Sequence, residues 1–265
     1  MNFETISVEV DRRGVAMLTL SRHAQHNAIS GLMMRELTAA AGLLSEDRAV
    51  RVVVLTGEGE SFCAGGDLTW MKEQVAASRE ERIAEARRLA LMLKGLRDLP
   101  KPLVGRVNGQ AYGGGIGLIS VCDAVIAVEG ARFGLTETRL GLIPATISPY
   151  VIARIGPSAT LRLATSARLF DAAAAREIGL VTAVVAPEAL DTALEAEIAP
   201  YFATAPEAVG AVKALVHALG PPIDDAVIEA TLMQLADTWE TPQAAEGIAA
   251  FLEKRKPAWA PDPTR

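Results

Sequence analysis

Cysteine is almost missing from this chain: Cys63 and Cys122 are the only two among 265 residues, far apart and without a CxxC pair. A disulfide framework or a thiolate metal site is therefore not expected, and both thiols read as small buried hydrophobes. Long apolar runs are missing too. No stretch approaches the roughly 18 uninterrupted apolar residues of a membrane-spanning helix. The opening MNFETISVEV has neither the basic segment nor the apolar core of a secretory signal. Positive charge is in deficit, 26 Lys and Arg against 32 Asp and Glu for a net charge of −6. That balance argues against nucleic acid or an anionic membrane as partner. An anionic small ligand needs only a local basic patch and stays open. The expectation is a soluble cytoplasmic protein of one large domain, or one domain plus an appendage, with no internal repeat.

Half of the residues are apolar, and they fall into periodic elements. Residues 3–10 and 15–20 flank the turn Asp11-Arg12-Arg13-Gly14 as a hairpin would. Residues 21–27 form a polar loop, and Ser30 can cap a helix running to about Leu44. His23 and His26 in that loop invite a catalytic reading. No carboxylate or nucleophile is fixed beside them, so solvated loop positions are the stronger one. Ile83, Ala86, Leu89, Ala90, Leu93 and Leu96 recur at helical spacing until Pro100 stops them. Beyond residue 155 the pattern turns helical: 157–164, 171–178, 187–203, 207–219, 224–236 and 242–254, with one last short strand at 181–185. β-branched residues give way to alanine, so a core of alternating strands and helices should be followed by a helical appendage. The tail after Lys256 should be loosely held.

Two glycine sites stand out. The apolar run Leu103–Val107 after a proline reads as a buried strand, and Gly113-Gly114-Gly115 follows it just ahead of the apolar segment Ile116 to Cys122. Strand, glycines, helix: that order leaves bare N–H groups where partial positive charge collects, a place that stabilises an anion or a developing oxyanion. Glycines at such a turn serve close packing more often than chemistry. The second site changes the balance. A buried strand at 51–57 leads through Glu58-Gly59-Glu60-Ser61 to Phe62-Cys63-Ala64-Gly65-Gly66-Asp67, with Asp67 suited to an N-cap. Two such turns on adjacent strands could each aim one N–H at a single carbonyl oxygen.

Glu137 is the acid that draws notice. It lies in Phe133-Gly134-Leu135-Thr136-Glu137-Thr138, a mostly apolar stretch, where a carboxylate is disfavoured unless solvated, paired or used. Desolvation there would raise its pKa towards a range useful for proton transfer. The alternative is a helix-start glutamate paired with Arg139 or Arg154, and on the residues alone the two readings are even.

The motifs FCAGGDL, KPLVGRVNGQAYGGGIGL, CDAVIA, ARFGLTETRLGLIP and AAFLEKRKPAW, in this order, resemble those of the enoyl-CoA hydratase/isomerase, or crotonase, family. The likeness runs from about Val8 to Trp259. Within the family, LIPATISPYV, RLFDAAAAREIGLV and EKRKPAW are most similar to the branch of 3-methylglutaconyl-CoA and isohexenylglutaconyl-CoA hydratases. The resemblance implies an α/β crotonase fold, repeated ββα units building a core over 1–202, then a helical oligomerisation region over 203–265. It implies an oxyanion hole from the N–H groups of Gly66 and Gly114, with Glu137 as the family's second catalytic glutamate. It places the backbone of Ala64 at the adenine, and Phe251 and Lys254 on the ligand from a neighbouring subunit in a homotrimer or dimer of trimers. For Phe251, core packing in the last helix is equally open, and Lys254 suits that helix's C-terminal dipole as well as a phosphate. The segment between Leu68 and Arg79 should cover the acyl pocket.

The family's first catalytic glutamate is missing, because Gly117 stands at its position. Three functions remain open. One is hydration of an α,β-unsaturated acyl-CoA, with Glu137 passing a water's proton to Cα. Another is a Δ3,Δ2-enoyl-CoA isomerase that shuttles one proton, and the third is an acyl-CoA-binding scaffold. The branch resemblance favours the hydratase, without metal or redox cofactor, coenzyme A being part of the substrate. Thr146 and Ser148 are candidates for holding the water, although Ser148 could merely cap the following helix. A distal carboxylate on the substrate would call for a cation, with Lys72, Arg139 and Arg154 as nominees; each is more often a surface ion-pair partner.

Overall fold

The computed structural model describes residues 3–261. β1 (Ile6–Val10) and β2 (Val15–Leu20) pair antiparallel across the expected turn. α1 (Gly31–Glu46) starts where the Ser30 side chain accepts from the Met33 N–H, and it buries Met33, Leu37, Ala40 and Leu44. β3 (Val52–Gly57) is buried along its whole length, as a parallel strand covered on both faces should be. Its four apolar side chains, Val52 to Leu55, are fully buried, worth about 1.5–3 kcal/mol each against exposure. β4 (Ser61–Cys63) leads to α2 (Leu68–Ala76), capped by Asp67, and α3 (Arg79–Arg97) opens on a Ser78/Glu81 capping box. β5 (Leu103–Val107), β6 (Gln110–Tyr112), α4 (Gly114–Ser120), β7 (Ala124–Val128) and β8 (Arg132–Gly134) follow. α5 (Ser148–Ser166) breaks at Gly156, whose φ of +75° leaves the helical region just before Pro157. The helix expected at 157–164 is thus the second half of a bent, longer one. β9 (Phe170–Asp171), α6 (Ala172–Glu177), β10 (Ala183–Val185) and α7 (Leu190–Ile198) lead into α8 (Pro206–Leu219), α9 (Asp225–Trp239) and α10 (Pro242–Leu252). None of the described helices is long and apolar enough to cross a membrane.

Six strands form one sheet in the order β1-β2-β3-β5-β7-β10, parallel apart from the hairpin. A smaller sheet runs β4-β6-β8-β9, with only the β8–β9 pair antiparallel. The chain therefore places one strand in each sheet and then a helix, as β3-β4-α2 and again as β5-β6-α4. The consequence for function is direct: the two glycine turns leave from β4 and β6, which are neighbours.

The C-terminal helices fold onto the core of their own chain. Ile228 and Leu232 of α9 pack on Ala86 and Ala90 of α3, and Ala244 and Ile248 of α10 pack on Leu142. A Cβ at Gly247 would stand 2.5 Å from the Leu140 carbonyl oxygen, so α10 presses directly on the turn that follows β8. Glu246 accepts from Arg255 Nη1 at 2.7 Å and from the Ala258 N–H at 2.8 Å. The tail expected to be loose is thus folded back as far as Ala258. Helix α8 differs, because Val212, Leu215, Val216 and Leu219 are all more than half exposed.

Candidate active site

Residues 22–29 and the turn after β4 are stitched together. Ile29 N–H donates to Gly65 O at 2.7 Å and Asp67 N–H to Ile29 O at 3.0 Å. Asp67 Oδ1 accepts from the N–H groups of Thr69 and Trp70, capping α2, while Oδ2 takes Arg22 Nη2 at 2.8 Å. Burial pulls the Asp67 pKa upward, but these N–H groups and the Arg22 charge outweigh it and hold the carboxyl below its ordinary value. On the neighbouring strand, Gly113 has φ +48° and its N–H is spent on Gly134 O at 3.0 Å. Among the described residues, the N–H groups of Gly66 and Gly114 take part in none of these loop and cap bonds. Both glycines line one cavity of about 490 Å³. Two unspent donors at one cavity are what an oxyanion hole requires.

Glu137 lines the same cavity, and among the described residues it is the only acid that does. It opens a single 3-10 turn, 137–140, directly after β8. Its Oε2 is buried with no hydrogen-bond partner. Desolvation pushes its pKa up to about 7, against a weaker downward pull from the backbone N–H groups of Glu137 and Thr136. At neutral pH the group is therefore divided between acid and base forms. The alternative pairing with Arg139 or Arg154 does not occur: Arg139 Nη2 donates to Ala167 O, and Arg154 Nη1 to Cys122 O. The carboxyl also needs its glycine neighbour, since a Cβ at Gly113 would stand 2.9 Å from Glu137 Oε1.

The other expected residues divide. Ala64 and Thr146 line the cavity. Thr146 is 4% exposed, and its hydroxyl has no hydrogen-bond partner among the described residues. Ser148 lies outside, its Oγ donating to Pro144 O at 2.7 Å; nor does it cap the helix that follows, because α5 has Ile147 at its N-cap and no side-chain cap bond. Phe251 reaches the cavity from α10 of its own chain, where the family resemblance implies a neighbouring subunit. Lys254, with φ +54° just past that helix, does not line it. Of the three cations nominated for a distal carboxylate, Arg139 lines the cavity, whereas Lys72 and Arg154 do not. His23 is exposed beside Glu58, and His26 Nδ1 meets Ser61 Oγ at 3.0 Å; neither lines the cavity.

Gly117 explains the missing second acid in packing terms. A Cβ there would stand 2.7 Å from Ile147 Cγ2 and 3.4 Å from Leu93 Cδ1. Aliphatic groups occupy the space into which a glutamate would project. Sequence reasoning missed this partner, and it missed Trp70, Tyr112 and Trp239 as cavity walls. Trp70 carried a usable signal, three residues past the Asp67 cap in the segment expected to cover the pocket. Tyr112 and Trp239 carried none, because they arrive from a three-residue strand and from the C-terminal helices.

A family described as Enoyl-CoA hydratase/isomerase matches residues 11–262. Among solved structures, Pseudomonas aeruginosa AtuE is 38% identical with a TM-score of 0.79, over 97% of this chain and 100% of that one. An enoyl-CoA hydratase from Shewanella pealeana is 34% identical with a TM-score of 0.80, over 97% and 96%. Aspergillus fumigatus sidH, named a mevalonyl-coenzyme A hydratase, is 32% identical over 259 residues, 93% of this chain and 92% of that protein. With two glycine turns on neighbouring strands and one buried acid after the next strand, the chain belongs to the enoyl-CoA hydratase/isomerase family and has the crotonase fold.

Proposed function

We propose that this protein adds water across the Cα=Cβ bond of a branched, glutaconyl-type enoyl-CoA. The observation that carries the reading is Glu137, a buried carboxyl with a pKa of about 7 and one unpartnered oxygen, lining the same cavity as two free glycine N–H groups. The thioester oxygen would sit on the N–H groups of Gly66 and Gly114, which stabilise the enolate by several kcal/mol. Ionised Glu137 accepts a proton from a water as that water's oxygen bonds to Cβ. The same proton then passes from Glu137 to Cα, which gives syn addition and returns the carboxylate. Thr146, with its free hydroxyl in the wall, is the second holder of that water. The branched substrate is supported by the LIPATISPYV and RLFDAAAAREIGLV segments and by likeness to a mevalonyl-coenzyme A hydratase. No step calls for a metal or redox cofactor.

One observation favours a second reading. With Ile147 filling the space beside Gly117, a single carboxyl remains, and a Δ3,Δ2 isomerase needs only one. Incubation of crotonyl-CoA, 3-methylglutaconyl-CoA and a 3-enoyl-CoA in heavy-oxygen water separates the two. The hydratase incorporates label into the first or second substrate. An isomerase converts the third without label, and a scaffold changes none.

For assembly, the exposed apolar face of α8 is the surface on which a second copy would pack. A trimer, or a dimer of trimers, accounts for four aliphatic side chains left in water.

A further inference from the structure

Behind the cavity wall lies a second concavity of about 470 Å³, lined by Arg132, Arg162 and Arg168. In a chain of net charge −6, none of the three forms a salt bridge among the described residues. The acids at this cleft do not neutralise it. Asp171 and Glu177 set two negative charges against three positive ones, which leaves one in excess, and Asp171 Oδ1 is already committed to the Ala174 N–H as a helix cap. Leu169 lines both concavities, so one aliphatic side chain is common to the acyl cavity and the arginine cleft. It lies against β8 where a Cβ at Gly134 would meet its Cδ2 at 2.7 Å.

The two sites are also tied through the backbone. Arg139 lines the acyl cavity and donates from Nη2 to Ala167 O at 2.6 Å. Thr138, beside the catalytic carboxyl, donates to Ala164 O at 2.8 Å. The turn carrying Arg168 and Leu169 is therefore held against the turn carrying Glu137. A guanidinium cluster in a groove binds a carboxylate through paired N–H donors, which a lysine would not match.

We propose that the arginine cleft receives a carboxylate at the far end of the acyl group, which reaches it past Leu169. This inference rests on the acyl-CoA reading of the main cavity and names the feature that selects the acyl group. Arg139 guides the chain end from the cavity side, and Arg132, Arg162 and Arg168 hold the anion.

Binding of saturated thioesters tests the cleft without any chemistry. Calorimetry on the full-length protein would compare glutaryl-CoA with valeryl-CoA, and adipyl-CoA with hexanoyl-CoA. The expected result is a diacid preference of at least about tenfold in one pair, weakening as salt rises. Arg162→Ala combined with Arg168→Ala should abolish that preference and leave the monoacid affinities within twofold. Arg132→Ala, which touches only the cleft, should weaken the preference by itself and likewise spare the monoacid affinities. Equal affinity within both pairs for the native protein overturns the proposal, and so does a parallel loss for diacid and monoacid in the variants. If valeryl-CoA and hexanoyl-CoA do not bind at all, it is the acyl-CoA reading that fails.

Discussion

A Cβ placed on Gly117 would stand 2.7 Å from Cγ2 of Ile147 and 3.1 Å from its Cβ. Ile147 is 3% exposed and immediately precedes α5, so it cannot easily give way. Gly117→Ala should therefore destabilise the protein. Alanine gains about 1 kcal/mol of helix propensity over glycine, but overpacking costs about 1–3 kcal/mol. Ile147→Ala costs about 2–5 kcal/mol by itself, and the double variant should lose clearly less than the sum of the two single losses, as read from denaturant midpoints. Additive effects of the two substitutions would mean that the side chains do not compete for one space.

The raised pKa of Glu137 makes stability depend on pH. The unfolded carboxyl ionises near 4.5 and the folded one near 7, so between those values the native state binds more protons. Stability falls as pH rises through that window, by about 3 kcal/mol in all. Glu137→Gln removes the effect. The variant should melt several degrees above the native protein at pH 8 and close to it at pH 4.5. A melting difference that does not change with pH would place the carboxyl in solvent.

Activity should follow the opposite limb. In the proposed hydration the base form of Glu137 takes the water's proton, so kcat/KM for crotonyl-CoA should rise with an apparent pKa near 7 and then level off. A profile flat from pH 5 to 9 would contradict a titrating catalytic carboxyl.

Asp67 joins three parts of the site: the Gly65-Gly66 turn, the start of α2 and the Arg22 loop. Asp67→Ala should cost about 1 kcal/mol for the lost cap. A further 1–3 kcal/mol or so follows from leaving a largely buried guanidinium unpaired. Asp67→Asn keeps the cap and should recover about half, as read by thermal unfolding and by kcat.

Leu215→Glu places a charge in the exposed stripe of α8. If that stripe joins copies, light scattering should show a trimer or hexamer for the native protein and a smaller species for the variant. An unchanged mass would remove α8 from the interface.

Much of the fold was legible because its signals are local. The caps at Ser30 and Asp67 and the buried run of β3 lie within a few residues of the structures they specify. The glycine turns and Glu137 were legible for the same reason. What escaped was set by distant packing. Ser148 and Thr146 look alike in sequence, and only the path of the chain sends one to Pro144 O and the other to the cavity. Phe251 and Trp239 reach the site because α9 and α10 fold back over it, and the cleft of Arg132, Arg162 and Arg168 forms only once β8, α5 and the turn after it come together.

The most direct test is the rate of crotonyl-CoA or 3-methylglutaconyl-CoA hydration by Glu137→Gln, measured with the dissociation constant of a saturated acyl-CoA. Turnover should fall at least about a hundredfold while affinity stays within a few-fold. A variant that hydrates at close to the native rate would show that another group moves the proton.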